Sequence, residues 1–438
     1  MEYLSTRGGS KVSAATAIEE GLAPDGGLYV PERFPVYPIA GIANKSYVEI
    51  AAGIFALFLQ DFSPEHMAQL AVDAYLSAFP KEVAPCVMVG DTTILELWHG
   101  PTSAFKDMAL QVLPRFMTMI NDNENNEKEL VILVATSGDT GKAALEGFKD
   151  VPGTKIIVFY PKGGVSAIQE LQMRTTDGNN TYVVGVDGNF DDCQSGVKTL
   201  FSDAELNVML STNGKQFSSA NSINWGRLLP QIVYYYYAYG RMCKNGTVEA
   251  GAPIDIAVPT GNFGNILAAW YAWKMGLPVH MLICASNEND VLTSVIKTGV
   301  YDRRRPLYKT TSPSMDILVS SNFERFVLDL SGGNVVLTAK LFQELQTVGN
   351  FCLDQSLLSK LQEVLSGDTA DSKEAAATIK QVYQQFNYVL DPHTAVGYAV
   401  AKKYQAAKGS EYPLLLVSTA SPYKFPQAVL AALGQSVA

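Results

Sequence analysis

Histidine and cysteine are scarce, at four and five residues in a chain of 438. The cysteines (Cys86, Cys193, Cys243, Cys284 and Cys352) are odd in number and form no CxxC pair, which excludes a disulfide framework and a zinc knuckle. No two of His66, His99, His280 and His393 stand at metal-ligand spacing, so no metal ion is expected. Long apolar runs are missing too. The longest, near Ile50–Leu59, is about half of the ~20 residues a spanning helix needs. The opening MEYLSTRGGS has no apolar stretch and does not read as a secretory signal. Charged residues make up only 17 %, the net charge is −10, and no long basic run occurs. Without cations to displace phosphate counterions, nucleic acid is not an expected partner. These absences leave a soluble, reduced, cytoplasmic α/β protein as the expectation, with no membrane contact.

What is present is ample material for a core: 47 % of residues are apolar. At about 150 residues per domain, the length predicts two to three domains. The first ninety residues are loop-rich and then helical. A turn at Pro24-Asp25-Gly26-Gly27 precedes a short strand at Leu28–Val30. Residues 47–60 read as an apolar helix, and Ser63-Pro64-Glu65 opens a second one. Further on, short aliphatic runs alternate with helical stretches: Glu129–Thr136, Lys155–Tyr160, Thr181–Val186, Ile254–Pro259, Val279–Ala285 and Leu414–Ser418. That pattern predicts a mostly parallel sheet covered by helices on both faces. Residues 121–128 and 366–374 read as polar linkers. Tyr234–Tyr237 sit on a helix as packing residues, partly interfacial, and Cys284 and Cys352 read as buried apolar side chains.

In open parallel sheets, ligands lie beyond the carboxyl ends of the strands. After the Glu129 run comes Thr136-Ser137-Gly138-Asp139-Thr140-Gly141-Lys142. A P-loop needs glycine five residues before Gly141 and serine or threonine after Lys142, but Thr136 and Ala143 stand there, so the nucleotide loop fails. A hydroxyl-rich helix start remains, suited to a carboxylate or phosphate, or to capping alone. After Ile254–Pro259 comes Thr260-Gly261-Asn262-Phe263-Gly264-Asn265, whose glycines let backbone N–H groups converge on a phosphate or simply make a turn. Ser418-Thr419 ends the last run with hydroxyls able to meet a ring nitrogen, or begins a turn. In Leu95–Asp107 (LELWHGPTSAFKD), Lys106 follows Phe105 at a helix start. Desolvation there would favour the neutral amine that Schiff-base chemistry requires. In Ser218–Arg227, Asn221, Ser222, Asn224 and Arg227 offer donors to a second anion, or cap a helix. Asp391 and His393 read as a helix cap or as a cleft wall.

Taken together, LELWHGPTSAFKD, ATSGDTGKAA, SSANSINWGRLLPQIVYY, PTGNFGN, SPSMDILVSSNFER, DPHTAVG and STASPYKFP resemble threonine synthase in its bacterial and fungal branch, as does the opening LAPDGGLYVP. The likeness runs from about residue 3 to 426. It implies a fold-type II pyridoxal-phosphate enzyme of the tryptophan-synthase-β kind: α/β, with open, mostly parallel twisted sheets covered by helices. It also implies an N-terminal region over 1–91 and a catalytic core over 92–438 with a smaller subdomain around 125–215. The implied reaction turns O-phospho-L-homoserine and water into L-threonine and phosphate, by γ-elimination and β-hydration, in a monomer or homodimer.

By position, Lys106 would hold pyridoxal 5'-phosphate. Gly261, Asn262, Phe263, Gly264 and Asn265 would surround its phosphate, Thr419 would face the ring nitrogen, and Asp139 would lie by the phenolic oxygen. Thr136, Ser137, Gly138 and Thr140 would meet the substrate carboxylate. Asn221, Ser222, Asn224 and Arg227 would meet the substrate phosphate. Many relatives of this fold type place asparagine where this chain has Asp139, and a carboxylate there repels a phenolate unless one of the two is protonated. Alternatives are a threonine or serine dehydratase or cysteine synthase on the same fold, an inactive phospho-ligand-binding homologue, and a nucleotide-binding protein.

Overall fold

The computed structural model describes residues 1–123, 128–136, 138–165 and 167–436. Strands β1 (Tyr3–Ser5), β2 (Gly8–Val12) and β3 (Tyr29–Pro31) make a small antiparallel sheet of order β2-β1-β3. Only the last of them was legible as a strand, because GGSKV in β2 has no apolar alternation. The N-terminal region is therefore a sheet plus helices rather than a helical layer alone. Two of its helices form where predicted, and a third, Ala14–Glu20, was not read from the sequence. Tyr47–Phe58 starts in a reciprocal Ser46/Glu49 capping box, and Pro64–Tyr75 has Ser63 as cap and Pro64 in its first turn.

The rest is built on two sheets. Strands β4 (Cys86–Val89) and β5 (Thr92–Glu96) form an antiparallel hairpin. Strands β6 (Glu129–Ala135), β7 (Thr154–Pro161), β8 (Thr181–Val186) and β9 (Lys215–Ser219) form a parallel sheet of order β8-β7-β6-β9. Next come β10 (Ile254–Pro259) and β11 (Val279–Ser286), then the antiparallel pair β12 (Val300–Asp302) and β13 (Asn350–Cys352), then β14 (Leu365–Thr369) and β15 (Leu414–Ser418). The larger sheet has order β14-β11-β10-β15-β5-β4 and is parallel except at β4.

Burial explains which strands could be read from sequence. Every residue of β5, β10 and β15 is buried, since helices cover both faces; β10 and β15 were read from the sequence, whereas β5 (TTILE), which opens on two threonines, was not. Alternate side chains enter two separate clusters. Leu95, Ile256, Val258, Leu415 and Val417 face one way. Ile94, Ala257, Leu414 and Leu416 face the helices Ser372–Phe386 and Pro392–Lys408 on the other. Edge strands are more polar: β8 exposes Tyr182 and Val184. Edge position also corrects one expectation. Residues 366–374 are not a linker. They supply most of β14, a half-buried edge strand, and then the Asp371-capped start of the Ser372–Phe386 helix. In the 121–128 segment, residues 121–123 close the helix Leu113–Asn123, and 124–127 lie outside the described residues. Cys284 is buried as expected, but Cys352 is exposed at the end of β13. All four of Tyr234–Tyr237 are buried on the helix Pro230–Lys244. No described helix is long and apolar enough to cross a membrane.

One contact joins the two sheets' helices with no room to spare. A Cβ on Gly147, in the helix Asp139–Phe148, would stand 2.0 Å from the Leu110 carbonyl oxygen of the helix Asp107–Leu110. Gly147→Ala is expected to cost about 1–3 kcal/mol through overpacking. Gly196→Ala, on an open helix surface, should gain up to about 1 kcal/mol. Urea midpoints of the two variants check both signs.

Candidate active site

The loops beyond β5, β6, β9, β10 and β15 converge on one cavity, as the placement rule for parallel sheets requires. The loop after β5 is tied down twice. Asp107 accepts from the Thr102 N–H at 2.8 Å and from its hydroxyl at 2.7 Å, and the Phe105 N–H donates to the Thr419 carbonyl at 2.8 Å. Lys106 thereby enters the cavity with 11 % of its side chain exposed. Its Nζ donates to Ser314 Oγ at 3.2 Å and lies 3.9 Å from Asp139 Oδ2. Burial is the main force pushing its pKa down to about 8. Arg227 and Lys424 act in the same direction, while Asp139 and Asp107 oppose it. Burial also lifts the Asp107 carboxyl to about 6, against the pull of its Thr102 hydrogen bonds.

Asp139 is not left facing the cavity uncompensated. Lys424 Nζ lies 2.7 Å from its Oδ1, and Gln169 Nε2 donates to the same oxygen at 3.2 Å. Burial alone would raise its pKa, but Lys424 and Lys106 outweigh that and hold it well below the usual carboxylate range. The expected conflict with a phenolate therefore meets a counter-cation instead of a protonated acid. Lys424 was missed in the sequence. The motif STASPYKFP contains it, but only the fold brings position 424 to position 139.

Most residues picked out in the sequence line this cavity: Lys106, Thr136, Asp139, Thr140, Asn221, Ser222, Arg227, Gly261–Asn265 and Thr419. Some have prior commitments. Thr136 Oγ1 accepts from the N–H groups of Gly138 and Gly141, so this hydroxyl folds the turn. Gly138 adopts φ 146°, where a side chain would also strike Gln169, and it is not part of the cavity wall. Ser137 lies outside the described residues. Asn224 is off the wall: it caps the helix Trp225–Leu228, accepts from Gly226 N–H, and donates to the carbonyls of Ile18 and Ser219. Asparagine is chosen for capping and for ligand binding alike, which is why sequence could not separate the two.

Arg227 is 4 % exposed and donates to the Ala220 carbonyl. Among the described residues no carboxylate lies within 4 Å of it, and burial lowers its pKa to about 10. A buried cation in this state calls for an anion. Behind it, Asn322 donates to the carbonyls of Ser222 and Asn262. Arg325 donates to Asn322 Oδ1 and to the carbonyls of Ile223 and Tyr29. The pair braces both anion loops from one helix.

Asp391 and His393 turn out to serve as cap and wall together. Asp391 caps the helix Pro392–Lys408, and His393 lines the cavity. The Ser314 N–H donates to His393 Nε2 at 3.2 Å, which leaves Nδ1 to carry the proton and donate to Asp391 at 2.8 Å. His393 thus anchors the Ser314 loop beside Lys106.

Three family descriptions match the chain: Threonine synthase N terminus over residues 2–75, Pyridoxal-phosphate dependent enzyme over 94–340, and Threonine synthase, C-terminal over 394–438. Threonine synthase of Saccharomyces cerevisiae is 38 % identical over 98 % of this chain and 89 % of its own length. Threonine synthase-like 1 of Homo sapiens is 41 % identical over 97 % of this chain and 58 % of its own length, so the chain spans little more than half of that relative. The crystal structure of pyridoxal-phosphate-bound threonine synthase from Brucella melitensis matches with a TM-score of 0.91 at 38 % identity, over 100 % of this chain and 92 % of that one. The architecture is that of a fold-type II pyridoxal-phosphate-dependent enzyme. Within that class, the chain belongs to the threonine synthase family of lyases.

Removing Lys424 deletes a like charge near Lys106 and leaves Asp139 paired to Lys106 alone, and both changes favour the protonated amine. Lys424→Met should therefore move the Lys106 titration upward from about 8, by about one pH unit or more. The pH dependence of reductive methylation at Lys106, read by mass spectrometry on cofactor-free protein, measures it. A downward move or no move would refute the charge assignment.

Proposed function

We propose that this chain converts O-phospho-L-homoserine and water to L-threonine and phosphate in the cavity around Lys106. The observation that carries this reading is Arg227: a buried guanidinium without a carboxylate partner among the described residues, in the same cavity as the Lys106 amine and the Gly261–Asn265 loop. One anion cradle suffices for a cofactor. A dehydratase or a cysteine synthase has no side-chain phosphate for a second.

The cavity suits pyridoxal phosphate on its own chemistry. Asn265 Nδ2 is buried without a hydrogen-bond partner. Gly261 approaches the Ser314 carbonyl so closely that a Cβ would stand 2.4 Å from it, and Phe263 turns the chain through φ 61°. This leaves a loop of small residues and N–H donors for a phosphate. Lys106 would carry the cofactor covalently, and Thr419 would face its ring nitrogen. When bound, the cofactor supplies an electron sink next to the substrate's Cα.

The chain's own groups do the rest. With a pKa of about 8, about one Lys106 in ten is neutral at pH 7, against about one in three thousand for an ordinary lysine. The free amine can attack an aldehyde and take a proton from Cα. Ser314 Oγ, in hydrogen-bond contact with Nζ, holds the amine between transfers. Arg227, Asn221 and Ser222 bind the substrate phosphate, keep it as it leaves Cγ, and orient it while water adds at Cβ.

Purified protein incubated with pyridoxal phosphate should absorb in the visible and release phosphate from O-phospho-L-homoserine, and turnover of threonine instead would favour the dehydratase. Lys106→Ala should lose both the absorbance and turnover. Arg227→Ala should raise KM for O-phospho-L-homoserine by about 10- to 100-fold, the worth of a charged hydrogen-bond pair, with the cofactor spectrum intact. Unchanged KM would remove Arg227 from the substrate site.

A further inference from the structure

The four consecutive tyrosines at 234–237 divide into two kinds. Tyr236 and Tyr237 donate to the Ala272 carbonyl and to Glu82, away from the cavity. Tyr234 and Tyr235 converge on one atom: their hydroxyls lie 2.6 Å and 2.5 Å from Asn265 Oδ1. Both phenols are buried, and burial pushes both well above their ordinary pKa, so both remain donors. An amide oxygen accepts two hydrogen bonds, and these two fill it. The other end of the same amide, Nδ2, is buried and has no partner, and Asn265 lines the cavity together with Gly261–Gly264. The hydroxyls have longer contacts as well, Tyr234 to Gln231 Oε1 at 3.3 Å and Tyr235 to the Asn265 carbonyl at 3.1 Å, but with their shortest bonds made to Oδ1 the amide presents Nδ2 on its other side. Turned over, it would present an acceptor where a phosphate oxygen needs a donor.

We propose that Tyr234 and Tyr235 are positioning residues that lock the Asn265 side chain with Nδ2 directed at the phosphate of the cofactor. The proposal rests on the reading of the Gly261–Asn265 loop as the cofactor's phosphate site. The hydroxyls touch neither cofactor nor substrate. They act through Asn265, by disfavouring the amide orientation that would repel a phosphate. Phenylalanine at both positions keeps the ring pair, whose centroids are 4.8 Å apart, and deletes only the two donors.

The test is equilibrium titration of cofactor-free protein with pyridoxal phosphate, followed by visible absorbance. The Tyr234→Phe/Tyr235→Phe variant should bind about tenfold more weakly, the loss of one charge-assisted hydrogen bond. Asn265→Ala should lose a similar factor, and adding the two phenylalanines to Asn265→Ala should lose nothing more, because the tyrosines then have nothing to orient. A merely structural role would give the same extra loss in the Asn265→Ala background, and that additivity overturns the proposal. So does wild-type affinity in the double variant. Should the double variant fail to fold, each single Tyr→Phe change is put through the same cycle with Asn265→Ala, where additivity again overturns it and coupling upholds it. A wild-type protein that takes up no pyridoxal phosphate would instead sink the cofactor-site reading itself.

Discussion

A single carboxylate shared by two buried lysines is the constraint from which the rest of the site follows. Asp139 faces Lys424 on one oxygen and Lys106 on the other. With Arg227 added, three cations stand against two carboxylates, Asp139 and Asp107, in a poorly solvated space, while the chain as a whole carries −10. Attraction at short range is strong in such a medium, and so is repulsion. The outcome is a locally positive chamber in a globally acidic protein. Burial lowers the proton affinity of Lys106, Arg227 and Lys424 add to that against the pull of Asp139, and the same cations draw in anions.

The fold exists, in this sense, to hold that arrangement still. Two parallel sheets present their strand ends to each other, and five separate loops meet between them. Few of the fixing contacts involve secondary structure as such. The Ala104–Ala420 bridge, the Thr102–Asp107 staple, the His393–Ser314 bond and the approach of Gly147 to Leu110 each tie one loop or helix end to a neighbour. Positions with little conformational choice are what pre-organise a site before any ligand arrives.

Most interior strands were plain in the sequence because burial on both faces forces continuous aliphatic runs, as in IDIAVP and LLLVS; β5, with threonines in two of its five buried positions, was not. Strands β9 (KQFSS) and β14 (LSGDT) were not, because a strand buried on one side, or at an edge, can be polar and short. The same division holds for the cavity. Lys106, Gly261–Asn265, Thr419 and Arg227 follow directly on aliphatic runs or helix starts, where the placement rule points. Lys424, Ser314 and the tyrosine pair matter only through partners far along the chain, at Asp139, Lys106 and Asn265. Asn224 shows the reverse case, a polar residue in the right segment whose side-chain hydrogen bonds are spent on backbone, that of Ile18, Ser219 and Gly226.

The brace built by Arg325 reaches further than the cavity. Its guanidinium grips the Tyr29 carbonyl in β3 with one nitrogen and the Ile223 carbonyl, next to Ser222, with another. The leading small sheet is thus wired to the loop that carries the proposed substrate phosphate contacts. Trimming the first thirty-odd residues would amount to surgery on the Lys106 cavity from outside it, unseating a guanidinium whose remaining partners, Asn322 and Ile223, both border that cavity's loops.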